Sequence, residues 1–241
     1  MNVKAFIIHL GRASERAPQV EKLICALPVK ASLIEAIDSR TLSDGTIAQV
    51  YKRKLHRPHY PFQLSRNEIA CFLSHRKAWQ AIVDQKLDAG FVIEDDIELT
   101  DVFGSAFRAA LDHLEPGGFI RFAFREGREH GREVFRNQDV RIIIPNPIGL
   151  GMVAQLVSYD AARKLLDVTS RFDRPVDTMI QMRWVTGLQP LSILPGGVRE
   201  ISAQLGGTTV QIKKSFPDKL MREILRPLYR MRIRSFSSRV K

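Results

Sequence analysis

Three consecutive carboxylates, Glu94, Asp95 and Asp96, follow directly on the apolar run Phe91-Val92-Ile93. A short run without alternation reads as a strand buried on both faces, which belongs to a sheet with helices on either side. Adjacent acids repel one another, and folding gains nothing from placing them at the end of a core strand. A bound cation offsets that repulsion. Glu94 and Asp96 lie two apart, so on extended backbone they point the same way. Carboxylate oxygens so placed suit a hard divalent cation.

The residues before the strand predict a helix. Ser65 and Glu68 form a capping box, with Leu64 and Ile69 at staple positions across it. Ile69, Phe72, Leu73, Trp79 and Ile82 or Val83 make its apolar face, and Asp88-Ala89-Gly90 is read as its break. Ser74-His75-Arg76-Lys77 interrupts that face with polar groups. Ser74 and His75 are candidates for diphosphate or sugar contacts.

From the amino end, Val3 to Ile8 reads as a strand, His9 to Arg16 as a polar loop, and the following stretch to about Leu27 as a helix. Pro18 is tolerable there only in the first turn. Leu33 to Ile37 reads as a second strand with Asp38 at its end. Strand–helix–strand units of this kind are parallel. In open α/β sheets ligands bind outside the carboxyl ends of the strands. The loop carrying Arg12 and Arg16, Asp38, and Glu94 to Asp96 all fall at such ends, which predicts one site.

The remainder reads less sharply. Leu42 to Phe62 is a surface loop, and its basic, aromatic part at 51–61 is a candidate flap. Thr100 is a candidate cap for a helix carrying Phe103, Phe107, Ala110, Leu111 and Leu114. Phe119 to Phe124, Val140 to Ile144, Gly149 to Val157 and Leu191 to Leu194 are strand candidates, and Arg125 to Glu133 is a charged loop. Ser158 caps a helix through Leu166. Asp177 is a helix cap or a general base.

Net charge is +11 over 241 residues, and it is unevenly spread. From Lys213 to Lys241, ten Lys and Arg against Asp218 and Glu223 give +8, so the other residues share +3. The division is a main domain over 1–212 and a basic extension over 213–241. Phe216, Leu220, Ile224, Leu225, Leu228, Met231 and Ile233 interleave with arginines as in an amphipathic helix, with Pro227 placed to kink it. Such a helix suits an anionic membrane surface, where each basic residue contributes about 1 kcal/mol. No nucleic-acid-binding fold is evident. Cys25 and Cys71 show no pairing pattern, which predicts two buried thiols in a reducing compartment. No signal peptide or run of ~18 apolar residues is present. The expectation is a cytoplasmic protein, peripheral on the inner face of the cytoplasmic membrane.

Taken together, these segments resemble glycosyltransferase family 25, the lipooligosaccharide biosynthesis enzymes related to collagen galactosyltransferases. Ile7-Ile8-His9-Leu10 with Arg12, Ser14 and Arg16 is similar to the family's opening motif, and Ala36-Ile37-Asp38 to its A-[IV]-D-G. Asn67 to Trp79, with Glu68, Cys71, Ser74 and His75, resembles G-E-I-G-C-x-L-S-H-x-x-x-W. Val92 to Asp96 resembles [IL]-L-E-D-D, Ser158 to Leu166 S-x-x-A-A-x-x-L-L, and Pro175-Val176-Asp177 P-[IV]-D. Asn67 and Ala70 stand where the family has glycines, and Gly149 to Met152 lacks its Gly-Thr and Tyr.

The resemblance implies an α/β, GT-A-like nucleotide-sugar-binding fold with a mostly parallel central sheet. It implies Glu94 and Asp96 as ligands of a divalent metal, Mn²⁺ foremost. Donor contacts would come from Leu10, Arg12, Arg16, Asp38, Ser74, His75, Glu94 and Asp95, with Asp177 as catalytic base. The implied reaction moves galactose or glucose from a UDP-sugar to a lipooligosaccharide or other cell-surface glycan, with inversion. Two other readings start from the residues alone. A metal-dependent phosphoesterase would want more ligands than six histidines without ligand spacing offer. A non-catalytic basic membrane-binding protein would leave the three acids unused.

Overall fold

The computed structural model describes residues 1–125, 127, 129–205 and 216–237, with the side chains of 216–222 excepted. The first half runs β1 (Val3–His9), α1 (Ala17–Ala26), β2 (Ala31–Glu35), α2 (Asp44–Val50), α3 (Arg66–Asp84), β3 (Ala89–Glu94), β4 (Ile97–Leu99) and α4 (Phe103–Asp112). Next come β5 (Phe119–Phe122), β6 (Gly131–Arg136), β7 (Arg141–Pro145), β8 (Ala154–Ser158) and α5 (Tyr159–Val168). The last elements are α6 (Val176–Ile180), α7 (Arg183–Thr186), β9 (Leu191–Leu194), β10 (Val198–Glu200) and α8 (Phe216–Ser237).

The main sheet has eight strands in the order β2-β1-β3-β8-β5-β9-β7-β6. β1 is parallel to β2 and β3, and β5 to β9. Only β8 and β7 run against their neighbours, so six of the eight strands share a direction. The α/β class and the mostly parallel sheet flanked by helices are therefore present. β4 and β10 make a separate antiparallel pair.

Alternate residues of the central strands feed two cores. Phe6 and Val92 face Phe72, Trp79, Ile82 and Leu165 beneath α3 and α5. Ala5, Ile7, Phe91 and Ile93 face Leu23, Phe103 and Phe107 beneath α1 and α4. This is the two-sided burial expected of Phe91-Val92-Ile93. A Cβ on Gly90 would come within 2.4 Å of Ile82, so glycine lets α3 lie directly on β3.

Several boundaries differ from expectation for physical reasons. α3 ends at Asp84, its exit made by Lys86 at φ 50°, and Ala89 and Gly90 belong to β3 instead of to the break. β2 covers Ala31–Glu35; the Ala36 amide still donates to the His9 carbonyl, and the Ile37 amide, on the side away from β1, donates to Ser74 Oγ. α4 is preceded by Val102, with no side-chain cap from Thr100. Within 149–157 only Ala154 onward is strand, since the Leu150 and Gly151 carbonyls accept from Arg121 Nη2. Cys25 is exposed and Cys71 half-buried, so the thiols are not both interior.

The segment at 51–61 is pinned down. His56 N donates to Asp173 Oδ2, and Arg174 Nη2 donates to the His56 and Pro58 carbonyls. The segment is docked on the loop before α6, and no residue of it lines the cleft described below. The C-terminal helix α8 runs through Pro227 and is docked too. Tyr229 and Ile233 are buried in the first core, and Phe236 lies 5.3 Å from Trp184, ring to ring. The boundary at 212/213, and the side chains of Lys213, Lys214, Phe216, Lys219, Leu220, Arg222, Arg239 and Lys241, lie outside the described residues. Among the described residues no helix is long and apolar enough to cross a membrane.

Candidate active site

A cleft opens at the carboxyl ends of β1 and β3, the position expected for a parallel sheet. Register places Ile8 opposite Glu94, so the two strands deliver their terminal residues to one level. The capping box of α3 is formed in full: Ser65 Oγ accepts from the Glu68 amide and Glu68 reaches back to the Ser65 amide. That start fixes the phase of α3 and turns Cys71, Ser74 and His75 toward the same opening.

Of the expected residues, Leu10, Arg12, Arg16, Ser74, His75, Glu94, Asp95 and Asp96 all line the cleft. β3 ends at Glu94, and Asp95 and Asp96 occupy the turn that follows, so strand alternation does not govern where Asp96 points. Their surroundings separate the three acids. Asp95 is locked: Oδ2 lies 2.7 Å from His9 Nδ1, and Oδ1 accepts from Arg16 Nη1 at 2.6 Å. Asp96 Oδ2 accepts from the same Arg16 nitrogen at 3.2 Å. Asp96 Oδ1 is buried with no hydrogen-bond partner among the described residues. Glu94 faces His75, with Oε1 3.3 Å from Nε2.

Burial above all, and then the neighbouring Glu94 charge, push the Asp96 carboxyl up to about 7 against the pull of Arg16. Burial works against the Arg16 charge as well, but Asp95 beside it more than compensates and holds the guanidinium protonated. A buried carboxylate oxygen with no donor, next to a second carboxylate, is a place where a divalent cation fits. Glu94 and Asp96 are the residues that would hold it.

Asp38 stands at the rim. Its Oδ1 accepts from the Arg40 amide and its Oδ2 from Arg12 Nε at 2.7 Å. The Arg40 bond first, and Arg12 after it, hold its carboxyl below the usual range. Ser74 Oγ donates to the Ala70 carbonyl and accepts from the Ile37 amide, which ties the 36–39 loop to α3. Asp177 is outside the cleft lining, yet near enough for its charge to act on Cys71. It is the second residue of α6 and not its cap. Oδ2 accepts from the Gly151 amide at 3.0 Å and Oδ1 from the Thr178 amide at 2.7 Å.

Sequence reasoning did not assign His9, Cys71 or Gln155. His9 ends β1 as Glu94 ends β3, so its position was a usable signal. Gln155 Nε2 lies 3.4 Å from His75 Nδ1 across β8, a pairing 80 residues apart with no local trace.

Residues 2–180 match Glycosyltransferase family 25 (LPS biosynthesis protein). A Glycosyltransferase 25 family member of Drosophila melanogaster is 30% identical over 183 residues, covering 73% of this chain and 29% of that protein. Procollagen galactosyltransferase 2 of Homo sapiens is 26% identical over 113 residues, covering 46% of this chain and 18% of that protein. Inactive glycosyltransferase 25 family member 3 of Mus musculus is 28% identical over 114 residues, covering 46% and 19%. The match spans less than a third of the length of these relatives. It takes in β1, α3, β3 and β8 and every cleft residue described above, and on that ground the chain belongs to glycosyltransferase family 25.

Proposed function

We propose that the chain is a nucleotide-sugar-dependent glycosyltransferase, moving a hexose from a UDP-sugar to a lipooligosaccharide or other cell-surface glycan. The observation that carries the reading is the buried Asp96 Oδ1 beside Glu94, which has no hydrogen-bond partner among the described residues, at the strand ends where Arg16 and His9 fix Asp95. The printed names of the procollagen galactosyltransferases favour galactose over glucose.

In this reading Glu94 and Asp96 would hold a divalent metal, Mn²⁺ foremost, which would supply positive charge for the departing diphosphate. Arg16 and His9 keep Asp95 in place behind that pair. Arg12, Leu10, Asp38 and the loop pinned by Ser74 hold the nucleoside side, and His75 lines the sugar side. Asp177 takes the proton of the acceptor hydroxyl as it attacks the anomeric carbon, which gives inversion. The Gly151 and Thr178 amides orient its carboxylate for that task.

For the acceptor's location, Ile224, Leu228 and Met231 on α8 are exposed, with Arg226, Arg230, Arg232 and Arg234 exposed around them. That face suits an anionic membrane surface carrying a lipid-linked glycan, on the cytoplasmic side. The deciding experiment is a donor screen with crude lipooligosaccharide and Mn²⁺, read as UDP release. UDP-galactose should give the highest acceptor-dependent rate. No release with any UDP-sugar, and no thermal shift with UDP plus Mn²⁺, would overturn the proposal.

A further inference from the structure

α3 brings a third chemistry to the cleft that the acids do not explain. Cys71 and His75 are four residues apart, so they stack on one face of the helix. That face meets the end of β3 at Glu94. The ligand atoms of Cys71, His75 and Glu94 all lie within 4.8 Å of one another, and His75 Nε2 is already 3.3 Å from Glu94 Oε1. Zinc–sulfur and zinc–nitrogen bonds place neighbouring tetrahedral ligand atoms about 3.5 Å apart, so closing the set needs a side-chain movement of about 1 Å.

We propose that Cys71, His75 and Glu94 form a thiolate–imidazole–carboxylate site for a borderline-soft divalent cation of the Zn²⁺ class. Three protein ligands leave the fourth position open to the cleft, as in zinc sites that exchange a ligand. A thiolate and an imidazole do not suit Mn²⁺ or Mg²⁺, so this donor set selects a different ion from an all-oxygen pair. The negative surroundings agree. The charges of Glu94, Asp177, Asp96 and Glu68 all act at Cys71, and together they attract a cation. Loading breaks the S–H bond, forms an S–metal bond and releases one proton to solvent.

His75 needs its ring proton on Nδ1 when Nε2 binds the ion. Gln155 is the neighbour there, and its Oε1 is buried with no hydrogen-bond partner among the described residues. Rotation of that amide supplies the acceptor that orients a metal-bound histidine. Where the proposed function holds, Zn²⁺ at this site takes Glu94 from the donor's cation and inhibits transfer. The binding itself does not depend on that function.

The test is Co²⁺ titration of the whole chain without any nucleotide, followed by optical absorption. One equivalent should give a near-ultraviolet thiolate-to-Co²⁺ charge-transfer band with intense visible bands of a tetrahedral site, and one equivalent of Zn²⁺ should abolish both. Cys25→Ser should keep the charge-transfer band and Cys71→Ser should lose it. A second measurement uses the unaltered protein. Zn²⁺, and not Mn²⁺, should slow alkylation of Cys71 at least tenfold, mapped by mass spectrometry. No charge-transfer band, a band that survives Cys71→Ser, or alkylation unchanged by Zn²⁺ would overturn the proposal.

Discussion

Arg174 Nη1 donates to the Tyr229 hydroxyl at 2.6 Å, and both residues are buried. The same guanidinium also binds Asp173, His56 O and Pro58 O, so α8, the 51–61 segment and the loop before α6 meet at one cation. Burial pushes the Tyr229 hydroxyl well above its ordinary value, with Arg174 pulling it back. The phenol is therefore a neutral partner across the working pH range.

Tyr229→Phe leaves a buried Arg174 donor without its acceptor and should cost about 1–3 kcal/mol. Urea denaturation with an unchanged m-value would measure it. Removal of 213–241 strips Tyr229 and Ile233 from the core and should cost more, with loss of cooperative unfolding. A truncated chain that unfolds at the same midpoint as the whole one would contradict the docking.

Because truncation damages the core, the membrane reading is better tested on the outer face of α8. Ile224→Glu with Leu228→Glu and Met231→Glu alters only exposed positions. Sedimentation with anionic vesicles should fall at least tenfold, and thermal stability should change little. Equal sedimentation of the triple variant and its parent would rule that face out.

Asp96 predicts a trade between stability and activity. Its carboxyl has an ordinary value of 3.8 and is raised to about 7 in the fold. Between about pH 4 and about pH 7 the folded state keeps a proton that the unfolded state has lost, so metal-free stability falls as pH rises through that window. Asp96→Asn should flatten this fall and raise metal-free stability above pH 7, by on the order of a few kcal/mol. It should also abolish transfer. Denaturation at several pH values and a turnover assay check the two halves separately.

Ser74→Ala should leave the Ile37 amide unsatisfied and loosen the 36–39 loop, at about 1 kcal/mol of stability. If that loop holds the nucleoside, KM for the donor should rise several-fold with kcat nearly unchanged. A fall in kcat alone would place Ser74 at the reacting atoms instead.

Local signals carried α3 and β3, the two elements that wall the cleft. The capping box at Ser65 and Glu68 marked the start of α3, and the unbroken run at Phe91 marked β3. Where the reading missed, a distant partner had taken over a backbone group. Past the end of β2 the chain is tied to α3, where Ser74, 37 residues away, takes the outward-facing Ile37 amide. The segment at 51–61 is held by Asp173 and Arg174, more than a hundred residues on. Short elements were lost for want of length. α2 had a legible cap in Ser43, which accepts from the Thr46 amide, while β6 was hidden among charges and β4 and β10 are three residues each. Family membership supported the grouping of the acids, but the division of labour among Glu94, Asp95 and Asp96 needed the positions of His9, Arg16 and His75.

β8 runs against β3, so the start of one strand and the end of the other share an edge of the sheet, with Glu94 N bonded to Val153 O. Two stretches encoded about sixty residues apart are thereby joined, although no residue of 149–152 lines the cleft. The Gly149–Met152 turn carries the amide of Gly151, which Asp177 accepts from. A change of length before β8 would therefore act on Asp177 while leaving Glu94, Asp95 and Asp96 where they are.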